Sequence, residues 1–388
     1  MKIVHIANFY GPKSGGIRTT LHELGKGYTE KGHHFTYIVP GNGFFREETP
    51  EGIRITMPSI PVPFSGGYRI IRSNRALRHL LITLHPDQIE VSDRFTLTSI
   101  GKWAAQRKIP AVVFSHETLR GLLSTYIPKM RFATYIADKH NRFLATRFEN
   151  IIATTDFASK EFLDLGISNL VKIPLGVDLT NFSPRHRTEK MHSELAQGAE
   201  LVLIHCGRLS PEKKPERSLE ALKLLHDRGV SVRLIYLGAG PMHEKLMKSA
   251  KGYPVTFRGF VANRTLVAEI LASSDISLAP GPIETFCLAA LESLASGVPV
   301  VASETSAVQE FLNINTSDPL GAIAANNGLS FADAIERVIA LKRVEHGLSE
   351  KCFHQSENFP WSSTVGLMLR LHGERFVGAR SIHRLRVA

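Results

Sequence analysis

Arg208 follows the apolar run Leu201–Gly207 and leads into Leu209-Ser210-Pro211-Glu212-Lys213. A guanidinium offers a planar fork and an ammonium a point charge, and both suit phosphate oxygens. Ser210 is placed to cap a helix with Pro211 at its first position. That predicts Arg208 and Lys213 at the carboxyl end of a strand, where they would neutralise a diphosphate. Charges solvated on a loop are the plainer reading of the same spacing. Further along, the run Ile276–Ala279 enters Pro280-Gly281-Pro282-Ile283-Glu284-Thr285-Phe286-Cys287-Leu288. A helix should follow through Glu292 and Leu294 and stop near Gly297. The backbone N–H groups of Phe286, Cys287 and Leu288 would then lie at a helix N-terminus, which favours anions. A carboxylate beside such a cradle, Glu284, would repel phosphate but accept hydrogen bonds from sugar hydroxyls. Glu292, two turns on, would accept from ribose hydroxyls, or is an ordinary exposed helix glutamate.

The first half offers fewer such residues. Gly15-Gly16 follows the first apolar run, where glycine permits positive φ or a close backbone approach; a simple turn is the alternative. Arg18 follows at the expected start of a helix and could meet an acceptor phosphate. Asn8 and Tyr10 belong to the same strand end. His116 comes directly after Ala111–Phe114, at what should be the carboxyl end of a parallel strand, the usual side for ligands in α/β sheets. Three cysteines, Cys206, Cys287 and Cys352, have no Cys-x-x-Cys spacing, which argues against a zinc ribbon or a disulfide framework. No Asp-x-Asp occurs in the chain, so no metal is expected and cationic side chains would take its place.

These residues need a scaffold. The chain has 388 residues, 43% hydrophobic and 21% charged. That is globular composition, and about 150 residues per domain gives two or three domains. Apolar runs Ile3–Ala7, Phe35–Val39, Gln88–Val91, Ala111–Phe114 and Asn150–Ala153 alternate with helical patterns. A second series follows at Leu201–Cys206, Val232–Leu237, Val255–Phe257, Ile276–Ala279 and Val298–Ala302. Such alternation predicts an α/β fold of two doubly wound parallel-sheet domains. The polar stretch from Asn181 to Arg187, with Pro184, reads as the linker. The domains are therefore expected at 1–183 and 184–360.

Lys and Arg number 47 against 36 Asp and Glu, a net of +11. Such an excess implies nucleic acid, a phosphate-bearing ligand or an acidic membrane as partner. Residues 1–180 hold 23 basic against 15 acidic side chains, a net of +8. Arg69, Arg72, Arg75 and Arg78 recur every third residue. At about 100° per residue they oppose an apolar group containing Leu77, Leu80, Leu81 and Leu84, which predicts an amphipathic helix with a cationic face. The stretch Leu119–Phe148 carries Arg120, Lys129, Arg131, Lys139, Arg142 and Arg147 against Asp138, interleaved with Tyr126, Phe132, Tyr135 and Phe143. Both regions suit anionic lipid headgroups, a solvated surface being the alternative. No nucleic-acid motif accompanies the charge, so nucleic acid is the least favoured partner. No run approaches the roughly 18 apolar residues of a membrane span, and no signal peptide is evident. The expected location is cytoplasmic and peripheral on the cytoplasmic face of the membrane.

Arg208 and Lys213 after one strand, with Glu284 and Glu292 after a later one, resemble the donor site of retaining GT-B glycosyltransferases of family 4. The resemblance includes Gly15-Gly16, Ser115-His116-Glu117, Pro174-Leu175-Gly176-Val177-Asp178, Gly238-Ala239-Gly240-Pro241 and Gly259-Phe260-Val261. Cys287 departs from it, because these enzymes usually carry glycine there. The run from Ala7 to Tyr28, Ser65-Gly66-Gly67-Tyr68-Arg69 and Glu90-Val91-Ser92-Asp93-Arg94 resemble mycobacterial-type GDP-mannose-dependent α-mannosyltransferases that extend phosphatidylinositol mannosides.

The resemblance implies two Rossmann-like domains facing across a cleft, hinge closure on the donor, and a C-terminal segment from Trp361 crossing back to the first domain. It implies mannosyl transfer with retention from GDP-mannose to a glycolipid acceptor. Gly16, Val261 and the Phe286–Leu288 amides would serve the nucleotide sugar beside Arg208, Lys213 and Glu292. Gly15 would lie against donor or acceptor, and His116 would touch the transferred sugar. Two alternatives stay open: the same fold with a UDP-sugar on another acceptor, and a non-catalytic protein that binds anionic surfaces.

Overall fold

The computed structural model describes residues 1–11, 15–63, 65, 67–126, 132–314 and 316–373. The chain divides into two compact units, Met1–Leu175 with Trp361–Ala388, and Gly176–Pro360.

The first unit is built on β1 (Lys2–Ile6), β2 (His34–Gly41), β3 (Phe45–Thr49), β4 (Gly52–Pro61), β5 (Arg69–Ile71), β6 (Gln88–Val91), β7 (Ala111–Phe114), β8 (Asn150–Ala153) and β9 (Leu170–Lys172). They join in the order β3-β4-β2-β1-β6-β7-β8-β9, with β5 on β4. All pairings are parallel except those of β3 and β5 with β4. The reversal of strand order beside β1 is where such sheets bind ligands. Apolar side chains fill both faces, as a parallel sheet under helices requires. One face packs Val4, Ile6, Ile89, Val91, Val113 and Ile151 against Leu77, Leu81 and Trp103. The other packs Ile3, Tyr37, Val112 and Phe114 against Leu21, Leu24 and Tyr28 of the helix Gly16–Glu30. Val365, Met368 and Leu369 of the helix Trp361–Leu371 complete that second layer. Residues 374–388, the end of the expected crossing segment, lie outside the described residues.

The second unit carries β10 (Leu201–Cys206), β11 (Val232–Leu237), β12 (Val255–Gly259), β13 (Ile276–Ala279), β14 (Val300–Ser303) and β15 (Gly321–Ala324). Their order is β12-β11-β10-β13-β14-β15, parallel throughout. Leu203, Leu234, Leu278 and Val301 meet Leu219, Leu222 and Phe331 from helices over the sheet.

Three expectations change. The division falls between Leu175 and Gly176, upstream of residue 184, because the intervening residues are held in the second unit. Val177 N–H donates to the Phe359 carbonyl at 2.8 Å, and Phe182 is fully buried. Five strands escaped the sequence: β3, β4 and β5, which form an antiparallel extension, and the edge strands β9 and β15. The proposed helix carrying Arg69, Arg72, Arg75 and Arg78 does not exist as such. Arg69 lies in β5, Arg72 just beyond it, and the helix runs only from Asn74 to Leu84. Ser73 decides this: its hydroxyl accepts from Ala76 N–H as an N-cap, and helix cannot extend upstream of it. Upstream, Ile71 N–H is bound by Asn8 Oδ1 and Phe9 N–H by the Arg69 carbonyl, which hold β5 extended.

Candidate active site

In the second unit, β10 ends at Cys206 and the chain turns through Gly207 with φ +151°. Gly238, after β11, has φ +154°, and a Cβ on it would stand 1.8 Å from the Gly207 carbonyl oxygen. Only glycine allows this approach, and it holds the turn that carries Arg208. Ser210 does not cap an α-helix. Its hydroxyl donates to Glu212 at 2.5 Å, and Pro211–Lys213 form a single 3-10 turn. The helix starts later, at Pro215, after Lys214 at φ +49°.

That turn aims Lys213 at Glu284. Its Nζ donates to both carboxylate oxygens at 2.6 Å. Burial alone would lower the Lys213 pKa, but the Glu284 carboxylate holds it above the usual lysine value. Glu284 sits in the loop between β13 and the helix Leu288–Ala295, and Gly281 leaves it room. A Cβ there would stand 2.9 Å from Glu284 Oε1.

The helix Leu288–Ala295 has Cys287 at its N-cap, with φ 65° and ψ 75°. This left-handed backbone is easy for glycine and strained for cysteine. Glycine would therefore be favoured at this position on backbone grounds, apart from the space the cysteine sulfur takes. Leu288 opens the first turn, whose N–H groups have no carbonyl partner within the helix. The Phe286 ring is buried, 4.9 Å from the Phe311 ring, so only its backbone is left to meet a ligand.

Glu292 is not an exposed helix glutamate. It is 6% exposed, and Arg264 Nη2 donates to its Oε1 at 2.5 Å. Burial pushes the carboxyl pKa up, against the pull of Arg264. Arg264, whose guanidinium lies 4.8 Å from the Phe182 ring centroid, was not anticipated. Asn263 caps its helix, accepting from the N–H groups of Thr265 and Leu266, and an Asn-Arg pair ahead of an apolar helix was the available signal. Val261 is half-buried in the loop that precedes it.

In the first unit, the expected N-terminal residues separate into two kinds. Asn8 is fully buried; it donates to Asp93 and Thr96, while its oxygen accepts from Ile71 N–H. It organises the strand end and has little capacity left for an acceptor. Tyr10 is half-buried, its hydroxyl 2.8 Å from His22 Nε2, and His22 Nδ1 lies 3.0 Å from Glu51. Gly15 is exposed with φ −85°, and a Cβ there would meet nothing within 4 Å, so no positive φ is in use. Gly16 is the first residue of the helix Gly16–Glu30, and Arg18 lies in its first turn. Pro12, Lys13 and Ser14 of the same motif lie outside the described residues.

His116 follows β7 with its ring parallel to Phe114, 5.6 Å between centroids and 6° between planes. Burial, helped by nearby His5, pushes the imidazole down to about 3, so it is neutral at pH 7. Its Nε2 lies 2.8 Å from Ser92 Oγ, which is 2.7 Å from His5 Nε2. His5 Nδ1 in turn lies 2.7 Å from Glu90. Reading the sequence for single motifs missed this series. The signal was present: a histidine and a glutamate at central positions of the two apolar runs that become β1 and β6, which pair in register.

The basic surface is smaller than expected. Arg69 is bound to Ser59 through Nε and Nη2. Arg120 is paired with Asp138 and Asp164. Arg72 and Arg75 remain exposed, and Arg78 is half-buried. Lys129, Arg131 and Gly66 lie outside the described residues. On the helix Ala133–Ala145, Lys139 and Arg142 are exposed, as are the apolar Phe132 (68% exposed), Tyr135 (65%) and Phe143 (43%), the last with the Arg147 guanidinium over its ring. No helix among the described residues is long and apolar enough to cross a membrane.

Two family models match the chain: Glycosyltransferase Family 4 over residues 14–181, and Glycosyl transferases group 1 over residues 200–340. The chain is also 42% identical over 381 residues to a Mycobacterium tuberculosis GDP-mannose-dependent alpha-(1-6)-phosphatidylinositol dimannoside mannosyltransferase, covering 98% of both proteins. The chain belongs to glycosyltransferase family 4. This family 4 glycosyltransferase is 26% identical over 321 residues to a Corynebacterium glutamicum GDP-mannose-dependent alpha-mannosyltransferase, covering 81% of this chain and 75% of that one. Among solved structures it is similar to sucrose-phosphate synthase from Thermosynechococcus elongatus. The TM-score is 0.77 at 18% identity, over 96% of this chain and 98% of the other. The fold of this glycosyltransferase is GT-B.

Proposed function

We propose that this glycosyltransferase moves mannose from GDP-mannose to a phosphatidylinositol mannoside, with retention at the anomeric carbon. The observation that carries the reading is the end-to-end 42% identity with a relative bearing that activity in its name. The geometry of the second unit supports it. As the bond to the anomeric carbon breaks, negative charge grows on the leaving diphosphate. Lys213, Arg208 and the N-terminus of the helix Leu288–Ala295 supply fixed positive charge to meet it, with no metal ion needed. Glu284 and Glu292 accept hydrogen bonds from sugar and ribose hydroxyls. His116, neutral at working pH, touches the transferred sugar and is not a strong base. A leaving-phosphate oxygen then takes the acceptor's proton.

The acceptor is a lipid, so the enzyme works as a peripheral protein on an anionic membrane face. The exposed Phe132, Tyr135, Lys139 and Arg142 support that part of the reading, since apolar and cationic groups share one surface.

A donor panel with phosphatidylinositol mannosides tests the function. GDP-mannose should give a mannosylated lipid whose new linkage is α. Transfer from UDP-glucose or UDP-N-acetylglucosamine with none from GDP-mannose would overturn it.

A further inference from the structure

Arg94 lies in the turn after β6 and is 1% exposed. A buried guanidinium only donates, and it must find acceptors inside the protein. The two hydrogens of Nη1 are shared by three: Ser115 Oγ at 2.9 Å, the Glu117 carbonyl at 2.8 Å and Glu161 Oε1 at 2.8 Å. Nη2 donates to Asn141 Oδ1, and the guanidinium carbon stands 5.1 Å from the Phe162 ring centroid. The backbone around Arg94 is fixed as well. Asp93 Oδ1 accepts from Phe95 N–H at 2.7 Å and Thr96 N–H at 3.1 Å, which closes the turn. His140 Nε2 stands 2.9 Å from the Arg94 carbonyl oxygen.

Two of these contacts fall on one short segment. β7 ends at Phe114 and the helix Leu119–Tyr126 begins at Leu119, so residues 115–118 join them and carry His116. Arg94 holds Ser115 by its hydroxyl and Glu117 by its carbonyl, the residues on either side of His116. Glu161, 4% exposed in the helix Asp156–Leu163, gives Oε1 to Arg94 and Oε2 to the Leu119 N–H at 3.0 Å. One buried ion pair therefore grips residues 115, 117 and 119 in turn. Such a pair is a weak source of stability, because both charges lose their water. Its clearer effect here is on geometry: the backbone under His116 is bound on both sides.

We infer that Arg94 is a positioning residue for glycosyl transfer, which with Glu161 clamps residues 115–119 so that His116 meets the transferred sugar at a fixed point. The inference rests on the reading in which His116 touches that sugar, and adds what holds the imidazole in place. Arg94 itself touches no substrate. Arg208, Lys213 and Glu292, which are assigned to the nucleotide, belong to the second unit. Loosening the clamp should thus slow the transfer and spare nucleotide binding.

A double-mutant cycle of Arg94→Lys with His116→Ala tests this in the full-length protein, with whichever donor the wild type uses. Lysine keeps a positive charge opposite Glu161 but lacks the planar fork that reaches Ser115 and Glu117 together. Small misplacements of a group that meets substrate are costly, so Arg94→Lys should lower turnover about 10- to 100-fold, with donor KM and nucleoside-diphosphate Kd within about twofold of the wild type. In the His116→Ala background the same change should cost less than about twofold, because residues that act as a unit are not additive. Ser115→Ala removes one flanking contact, leaves the ion pair whole, and serves if Arg94→Lys does not fold. It should lower turnover about 3-fold or more, the worth of one hydrogen bond, and that loss should also vanish with His116→Ala. Losses that multiply with that of His116→Ala, or wild-type turnover in both Arg94→Lys and Ser115→Ala, would overturn the inference. Wild-type turnover in His116→Ala alone would instead overturn the sugar contact on which it rests.

Discussion

Both carboxylate oxygens of Glu284 accept from the one ammonium of Lys213, each at 2.6 Å, across 71 residues of sequence. The pair joins the turn after β10 to the turn after β13, the two adjacent strands at the centre of the second sheet. A bound diphosphate would share the Lys213 donors with Glu284, and Glu284 would keep oxygen lone pairs for sugar hydroxyls. Lys213→Ala should lower turnover about 100-fold, the usual loss when one fixed donor to a developing anion is removed. Lys213→Arg should recover little, because a planar fork cannot replace a point charge at this angle. Glu284→Ala should be as damaging as Lys213→Ala in steady-state kinetics. Wild-type rates in either alanine variant would remove the pair from the site.

Cys287 holds a left-handed backbone at the start of the helix Leu288–Ala295. For an L-residue this costs roughly 1–2 kcal/mol, part of which glycine would give back as unfolded-chain entropy. Cys287→Gly should therefore stabilise the protein by about 0.5–1 kcal/mol in denaturant titrations and leave donor binding intact. Cys287→Val should destabilise it, because a β-branched side chain tolerates positive φ worst. A valine variant as stable as the wild type would show that the strain is not real.

The parts of the molecule that were legible in the sequence share a cause. Central strands of a parallel sheet are buried on both faces and read as short apolar runs, so β6, β7, β8, β10, β11 and β13 coincide with those runs. The antiparallel strand β3 has four exposed residues among its five and leaves no such pattern. Arg69 and Arg72 matched a helical period by coincidence, and the Ser73 cap and the Asn8 side chain, 63 residues from Ile71, overruled it. Lys213 and Glu284 were legible because each follows a strand directly. The partners Arg264 of Glu292 and Glu90 of His5 were missed, because the first contact depends on how two helices pack and the second on which strands become neighbours. Burial of Glu292 could not be read from helix periodicity, since this helix is covered nearly all round.

The Glu292–Arg264 pair makes a prediction about pH. Burial holds the Glu292 carboxyl above its ordinary value, with Arg264 opposing the rise. Arg264→Ala should raise it further. A carboxyl with a raised folded pKa is protonated in both states at low pH and costs stability once the unfolded chain ionises. The penalty of Arg264→Ala should thus be small below about pH 4.5 and grow as pH rises through the folded value. Because the arginine side chain is 47% exposed, the loss at pH 8 should be about 1–2 kcal/mol, short of the figure for a fully buried pair. Denaturant titrations at pH 4.5 and pH 8 check this, and an equal penalty at both would contradict it.

Lys139 and Arg142 share an exposed surface with Phe132 and Tyr135 on the helix Ala133–Ala145 and the residue before it. If this surface meets anionic lipid, each cation contributes about 1 kcal/mol to partitioning. The double variant Lys139→Gln with Arg142→Gln should lower sedimentation with phosphatidylinositol-rich vesicles by roughly 30-fold in partition coefficient, the equivalent of about 2 kcal/mol. Raising the salt should weaken the wild type toward the variant, since exposed charges are screened beyond about 10 Å at 0.1 M. Turnover on detergent-dispersed acceptor should stay at the wild-type level, because neither residue contacts the residues assigned to donor or sugar. Vesicle binding unchanged by the double variant would move the membrane contact away from this helix.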